Sequence, residues 1–274
     1  MKCFDFIKDE KELHWFFDHV FVQPKVGESY MEVLSARNKA LTTEERETYH
    51  LGRSEMMRME VLKGTKEKIS WERFLSFCKR FNFDETSMLT DSGLPYPEKS
   101  LVLYFYINTS SEVKVTDKLV DYIMLNKTEL INSYENGNKD GVIESKLKLS
   151  KVSYISKSLH ASCISTKNYV DFDLDCDKEF LKNNYITMKS VINSFFTSGS
   201  FFIVETKGGW HILVKHEQIK SNPSIFCNTI TSTITNLGGE VSECILNKNS
   251  FLQLPGSLSR NHIVTILNKE DFDK

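Results

Sequence analysis

The residue pattern of this 274-residue chain is that of an α+β protein. Three observations carry that reading. Apolar residues recur at helical spacing over much of Asp9 to Phe83. The cluster Asp91-Ser92-Gly93-Leu94-Pro95-Tyr96-Pro97-Glu98 then gathers strong chain breakers into a few residues. Beyond it, runs rich in β-branched and aromatic residues alternate with helical segments, starting at Leu101 to Asn108. The expected division is a helical region over 1–98, packed on a core over 99–274.

In chain order, Lys11 to Phe21 (KELHWFFDHVF) places its apolar residues on one helical face. Thr42 with Glu45 has the spacing of a capping box, and Ser70 to Cys78 predicts a short amphipathic helix. Thr116 to Ser133 predicts a helix, Asn136 to Gly141 a turn, and Lys146 to Ser156 fits neither period. Asn168 to Asp175 reads as an acidic strand, followed by a helix over Asp177 to Phe196 with acids at its positive end. Phe201 to Glu205 and Trp210 to Lys215 predict two strands joined at Thr206-Lys207-Gly208-Gly209. Ser221 to Asn236 has helix-starting residues, Pro223 in its first turn and a Gly238-Gly239 stop. Phe251 to Leu254 and His262 to Leu267 close the chain as strands.

With 40% hydrophobic residues the chain can bury a substantial core, and a formal net charge of -2 selects no nucleic-acid or membrane partner by itself. Its six cysteines are too dispersed for a zinc knuckle and too few for a disulfide scaffold, so a reducing cytoplasm is expected. No apolar run approaches the roughly 20 residues that cross a bilayer, so no membrane partner is expected.

The chemistry concentrates in Tyr169-Val170-Asp171-Phe172-Asp173-Leu174-Asp175-Cys176-Asp177. A strand puts Asp171, Asp173 and Asp175 on one face and Val170, Phe172 and Leu174 on the other. Three like charges in a row call for a cation, and hard oxygen donors point to magnesium, manganese or calcium. A calcium loop would need Gly after the third acid and Glu at its twelfth position, where this chain has Cys176 and Lys182. Thr206-Lys207-Gly208-Gly209-Trp210-His211 supplies the opposite chemistry: glycines that open backbone N–H groups to an anion, and the Lys207 charge. A metal beside phosphate donors describes a nucleoside triphosphate site. Two ions about 3.5–4 Å apart need a further carboxylate from a distant segment. Glu243 is the first choice and Glu240 the second.

The order of these features resembles the archaeo-eukaryotic primase (primase-polymerase) superfamily, including phage-type members. Phe172-Asp173-Leu174-Asp175 is similar to the first motif of that family and Lys207-Gly208-Gly209-Trp210-His211 to its second. Leu254-Pro255-Gly256-Ser257-Leu258 resembles the segment after the third, and Leu103 to Asn108 the opening strand of the catalytic core. The resemblance spans about residues 100–270 and implies an RRM-like, mostly antiparallel sheet flanked by helices.

It also implies metal-dependent nucleotidyl transfer, extending a 3′ end or starting a primer on single-stranded DNA. Two magnesium or manganese ions would sit on Asp173, with Asp171 or Asp175, and Glu243; periodicity does not choose within the first pair. His211, with Lys207, Thr206, Gly208, Gly209 and Arg260, would hold the triphosphate. Arg37, Lys39, Arg53, Arg260 and Trp210 are candidates for a template groove, and a separate helicase would supply the template. Two departures from the family stand out: Glu replaces the usual Asp of the third motif, and Gln253 replaces an arginine two positions before Pro255.

Overall fold

The computed structural model describes residues 3–84, 89–90, 92–128, 155–220, 222–247 and 250–272. The expected turn at 136–141, most of 146–156 and the end of the helix at 116–133 lie outside these residues. The first part of the chain contains β1 (Cys3–Phe4), α1 (Glu10–His19), β2 (Glu28–Arg37), α2 (Thr43–Tyr49), β3 (Ser54–Lys63), α3 (Trp71–Cys78) and β4 (Phe83–Asp84). There follow β5 (Leu101–Tyr106), β6 (Thr109–Ser111), α4 (Glu112–Leu125), β7 (Ile164–Thr166) and β8 (Tyr169–Cys176). Helices α5 (Lys178–Asn183) and α6 (Tyr185–Phe195) lead to the hairpin β9 (Phe201–Glu205) and β10 (Gly209–Lys215). The chain ends with α7 (Pro223–Asn236), β11 (Val241–Leu246), β12 (Phe251–Gln253), β13 (Leu258–Ser259), β14 (His262–Ile263) and β15 (Thr265–Ile266).

Two antiparallel sheets organise these elements, which makes the fold α+β as expected. One has the order β11-β8-β10-β9-β15, and the other β12-β5-β2-β6-β7 with β3 paired to β2. Helices α6 and α7 cover one face of the first sheet, closing a core around Phe172, Leu174, Trp210, Ile212, Phe226 and Ile230. Helices α1 and α3 bring Phe16 and Phe74 to the main core, which includes Leu103 and Phe105 from one sheet and Phe202, Val204 and Leu213 from the other. Asn108 ties the sheets at the start of β8: its side-chain oxygen accepts from the backbone N–H groups of Asn168 and Tyr169, at 2.7 and 2.9 Å.

The helical reading of residues 9–83 is corrected at two places. Residues 28–37 and 54–63 are ten-residue strands, β2 and β3, and β2 lies between β3 and β5 inside the sheet. The sheet thus runs across the expected boundary at 98/99. Nine of the ten β2 residues are buried, so the strand shows no alternation of apolar and polar residues. Strand β3 is written in Met, Glu, Arg, Leu and Lys, good helix formers that pairing with β2 overrides. The expected caps are present: Thr42 and Glu45 form both bonds of the capping box, and Ser70 accepts from Arg73 N–H. Among the described residues no helix is long and apolar enough to cross a membrane.

One acid sits deep in the main core. Glu32 on β2 is fully buried, and neither of its oxygens has a good hydrogen-bond partner. Burial holds its carboxyl well above the ordinary carboxylate range, with the Cys78 thiol beside it. The folded protein therefore keeps on Glu32 a proton that the unfolded chain releases near pH 4.5, and the contribution of Glu32 to stability falls as pH rises above that value. Glu32→Gln is expected to gain stability over the parent as pH is raised from 5 to 8, measured by denaturant unfolding at each pH; an advantage that does not grow with pH would contradict the buried neutral carboxyl.

Candidate active site

The row of acids on β8 becomes a site because of the strands on either side. Strand β10 pairs with β8 in antiparallel register, setting His211 opposite Asp173 and Gly209 opposite Asp175. Strand β11 pairs on the other side, with a bulge that sets Glu243 opposite Asp175. Successive residues alternate faces, so Asp173, Asp175 and His211 line a cleft while Phe172, Leu174 and Trp210 enter the core beneath α6 and α7. Trp210 is therefore no template contact: it is fully buried on the opposite face from His211.

The three acids of the row differ sharply. Asp171 is 1% exposed and accepts hydrogen bonds from His211 Nδ1 at 3.0 and 3.1 Å and from Asn247 Nδ2 at 2.7 Å. It is the deep anchor of His211 and does not line the cleft. Of the three acids, only Asp173 and Asp175 reach the cleft. His211 Nε2 lies 3.7 Å from Asp173 Oδ1, so the imidazole stands between two carboxylates. Burial opposes its charge, but Asp171, then Asp173 and Asp175, outweigh burial and push His211 up to about 9. Asp173 is raised above the ordinary range, by burial first and then by the charges of Asp171, Asp175 and Glu243. Its neighbours are thus close enough for their negative charges to be felt at one carboxyl.

The turn between β9 and β10 follows from its glycines. Gly209 has φ +150°, and a Cβ there would lie 2.0 Å from the Leu174 carbonyl oxygen. Any side chain would force β10 away from the acidic strand. A Cβ on Gly208 would stand 2.9 Å from Asp175 Oδ1, so the bare backbone lets the turn approach the carboxylate. Thr206 is buried and its hydroxyl accepts from Gly208 N–H at 3.3 Å, while Lys207 is exposed.

The cleft, about 720 Å³, has a second wall from the other sheet, the segments flanking α2 and the β13–β14 hairpin, carrying Arg37, Lys39, Arg53, Tyr104, Gln253 and Arg260. Arg37 donates to the Tyr104 hydroxyl at 2.9 Å, and Lys39 Nζ reaches Asp175 Oδ2 at 3.7 Å. Arg260 occupies the two-residue turn of the β13–β14 hairpin, where it and Asn261 have φ of +50° and +64°, the geometry of a type I′ turn. Burial, with the nearby Arg37 charge adding to it, pulls Arg260 below its ordinary value. The Nε atoms of Arg37 and Arg260 are buried without hydrogen-bond partners. Two guanidinium groups, each with one unsatisfied donor, thus line the cleft together with the acidic strand.

The structure brings together Asp173, Asp175, Glu243, His211, Thr206, Lys207, Gly208 and Arg260 on one cleft, with Gly209 forming its turn. Glu240 is exposed and outside it. Asn247 and Lys178 also line the cleft, neither of which the motif order marks, since an amide and a lysine beside a helix start carry no spacing signal. Pro255 and Gly256 serve the fold: the Gly256 carbonyl accepts from the N–H groups of Lys8 and Asp9, fastening the N-terminal segment. Among the described residues no group of three or more His, Cys, Asp and Glu side chains is gathered tightly enough to hold a metal ion. Asp171 is saturated by His211 and Asn247, Lys39 draws on Asp175, and Glu243 is exposed. What the cleft can do chemically is bind an anion between cations while presenting carboxylates to one end of it. Comparison of the chain with family models, curated proteins and solved structures finds no match.

Because folding raises His211 from 6.5 to about 9, the stabilisation from its charge is complete below the unfolded value and is lost as pH climbs through the folded one. Measured in chelator, the stability advantage of the parent over His211→Gln should shrink by roughly 3 kcal/mol between pH 6 and pH 10. A difference that stays constant across that range would mean that Asp171 does not hold an imidazolium.

Proposed function

We propose that the cleft binds a nucleoside triphosphate with a divalent cation and transfers its nucleotidyl group, with release of pyrophosphate, to the 3′ hydroxyl of a primer strand or first nucleotide paired to a single-stranded DNA template, the chemistry of a primase or polymerase. The observation that carries this is the two-walled charge pattern, with Asp173, Asp175 and Glu243 on one side and Arg37, Arg53 and Arg260 on the other. A triphosphate needs both: cations for its oxygens and hard oxygen ligands for the ion that bridges them. The donor set suits magnesium or manganese in its chemistry, since Asp173, Asp175 and Glu243 offer only carboxylate oxygens. These residues would hold the ions, completed by the substrate's own phosphates. When bound, such ions supply charge stabilisation for the attacking and leaving oxygens.

The chain's own groups would do the rest. Thr206, Gly208 and Gly209 form a turn whose backbone approaches the acids closely enough to seat phosphate oxygens between them and Lys207. His211, fixed by Asp171, presents a positive Nε2 at the cleft floor. Arg37, Arg53 and Arg260 offer a cationic wall to the remaining phosphate or to template backbone. A second reading, a nucleic-acid-binding module without catalysis, draws support from the saturation of Asp171 and the open spacing of the remaining acids.

The two readings separate in one assay with primed and unprimed single-stranded DNA, labelled NTPs or dNTPs, and magnesium or manganese. The parent chain is expected to incorporate nucleotide, and Asp173→Asn to lose at least about 100-fold of that activity, as expected for removal of a metal ligand, with no fall in thermal stability. Full incorporation by Asp173→Asn would overturn the reading. Single-strand binding indifferent to divalent ions, with no incorporation by the parent, would establish the binding module instead.

A further inference from the structure

Beside the glycine turn lies a lysine that the roles assigned above do not use. Lys178 follows the acidic strand by two residues and lines the cleft alongside Thr206, Lys207 and Gly208. Its ammonium is held in place. Nζ donates to Glu205 Oε1 at 2.8 Å and to His262 Nδ1 at 3.3 Å. Glu205 is 8% exposed and is the last residue of β9, immediately before the turn; His262 begins β14, immediately after the Arg260-Asn261 turn. Both partners therefore sit on the two turns that shape this end of the cleft.

An ammonium has three N–H donors. Glu205 and His262 take two, and the lysine's place on the cleft wall leaves the third for a ligand. For His262 to accept from an ammonium at Nδ1, its ring must be neutral with the proton on Nε2. Burial, and then the Lys178 charge, push His262 below its ordinary value, in keeping with a neutral ring. Lys207, the cation the sequence pattern selects, is exposed on the turn. Lys178 is only 30% exposed at its side chain, so less rotamer freedom is lost when a ligand binds.

We infer that Lys178, positioned by Glu205 and His262, is a cation of the phosphate-tail subsite, contacting the part of a nucleoside triphosphate beyond its α-phosphate. This rests on the nucleotide reading of the cleft. An oxygen of the tail would take the free N–H of the ammonium, and the buried Glu205 would keep the lysine pointed at the turn when the site is empty. Tail recognition then comes from both ends of the turn, with Lys207 on its exposed side and Lys178 beneath.

The test compares dATP with dAMP, which differ only in the tail, by calorimetric titration of the intact chain with calcium in place of magnesium so that no turnover intervenes. The parent is expected to prefer dATP. In Lys178→Met that preference should fall about tenfold, the value of one charge-assisted hydrogen bond, with dAMP affinity unchanged at a temperature where both proteins are folded, and Lys178→Arg should restore part of it. A Lys178→Met protein that keeps the parental dATP-to-dAMP ratio would overturn the assignment of Lys178 and leave the nucleotide site standing. A parent chain with no preference for dATP would overturn the nucleotide reading, and the tail subsite with it. Loss of dAMP affinity in step with dATP would also overturn the assignment, because a structural role predicts that both fall together.

Discussion

The hydrogen-bonded pair of Asp171 and His211 is the constraint on which the site depends. A strand that carries three aspartates on one face cannot be buried along its whole length unless the deepest acid is neutralised. His211, across the β8–β10 ladder, does this from one side and Asn247 from the other. With Asp171 secured, β8 can run from the fully buried start at Tyr169 to the cleft edge at Asp175. The same bonds fix the imidazole at the cleft floor, so packing and site geometry have one cause. Removing either partner would leave a buried charge unpaired, which costs far more than the loss of a surface ion pair.

The remaining charges follow from where the sheets meet. Near Phe202, Val204 and Leu213 the sheets share the main core; toward Asp173 and Asp175 they part, and the cleft opens between them. Apolar contact at one end thus sets the spacing of charges at the other. The acids come from β8 and β11 and most of the cationic groups from β2, the segments flanking α2 and the β13–β14 hairpin; among the described residues, the ion pair between these two walls is that of Lys39 with Asp175. That single contact, on a half-exposed lysine, contributes little to stability and is easily displaced.

Much of the site was legible in the sequence because its signals are local. Period-2 alternation put the three acids on one face, and the Gly-Gly pair marked the turn that brings His211 back beside them. Which of Asp171, Asp173 and Asp175 reach the cleft was not legible, because it depends on Asn247, 76 residues from Asp171, and on burial that alternation does not encode. Trp210 was misplaced although the same alternation assigns it to the face opposite His211. For β2 and β3 the obstacle was different. Burial on both faces erases the alternation of β2, and β3 is built from residues that favour helices until a neighbouring strand pairs with them. Lys178 carries no motif at all; only the meeting of β9, α5 and β14 reveals its two partners.

The central claim is that the acidic wall of the cleft is a divalent-cation site completed by a phosphate ligand. It is tested most directly by crystals grown with manganese and a non-hydrolysable deoxynucleoside triphosphate, with anomalous data collected at the manganese edge. The account predicts an anomalous peak bound by Asp173 and Asp175, with Glu243 or phosphate oxygens completing the coordination, and Lys39 displaced from Asp175. A nucleotide bound in the cleft with no peak at those carboxylates, or manganese found only elsewhere, would contradict it.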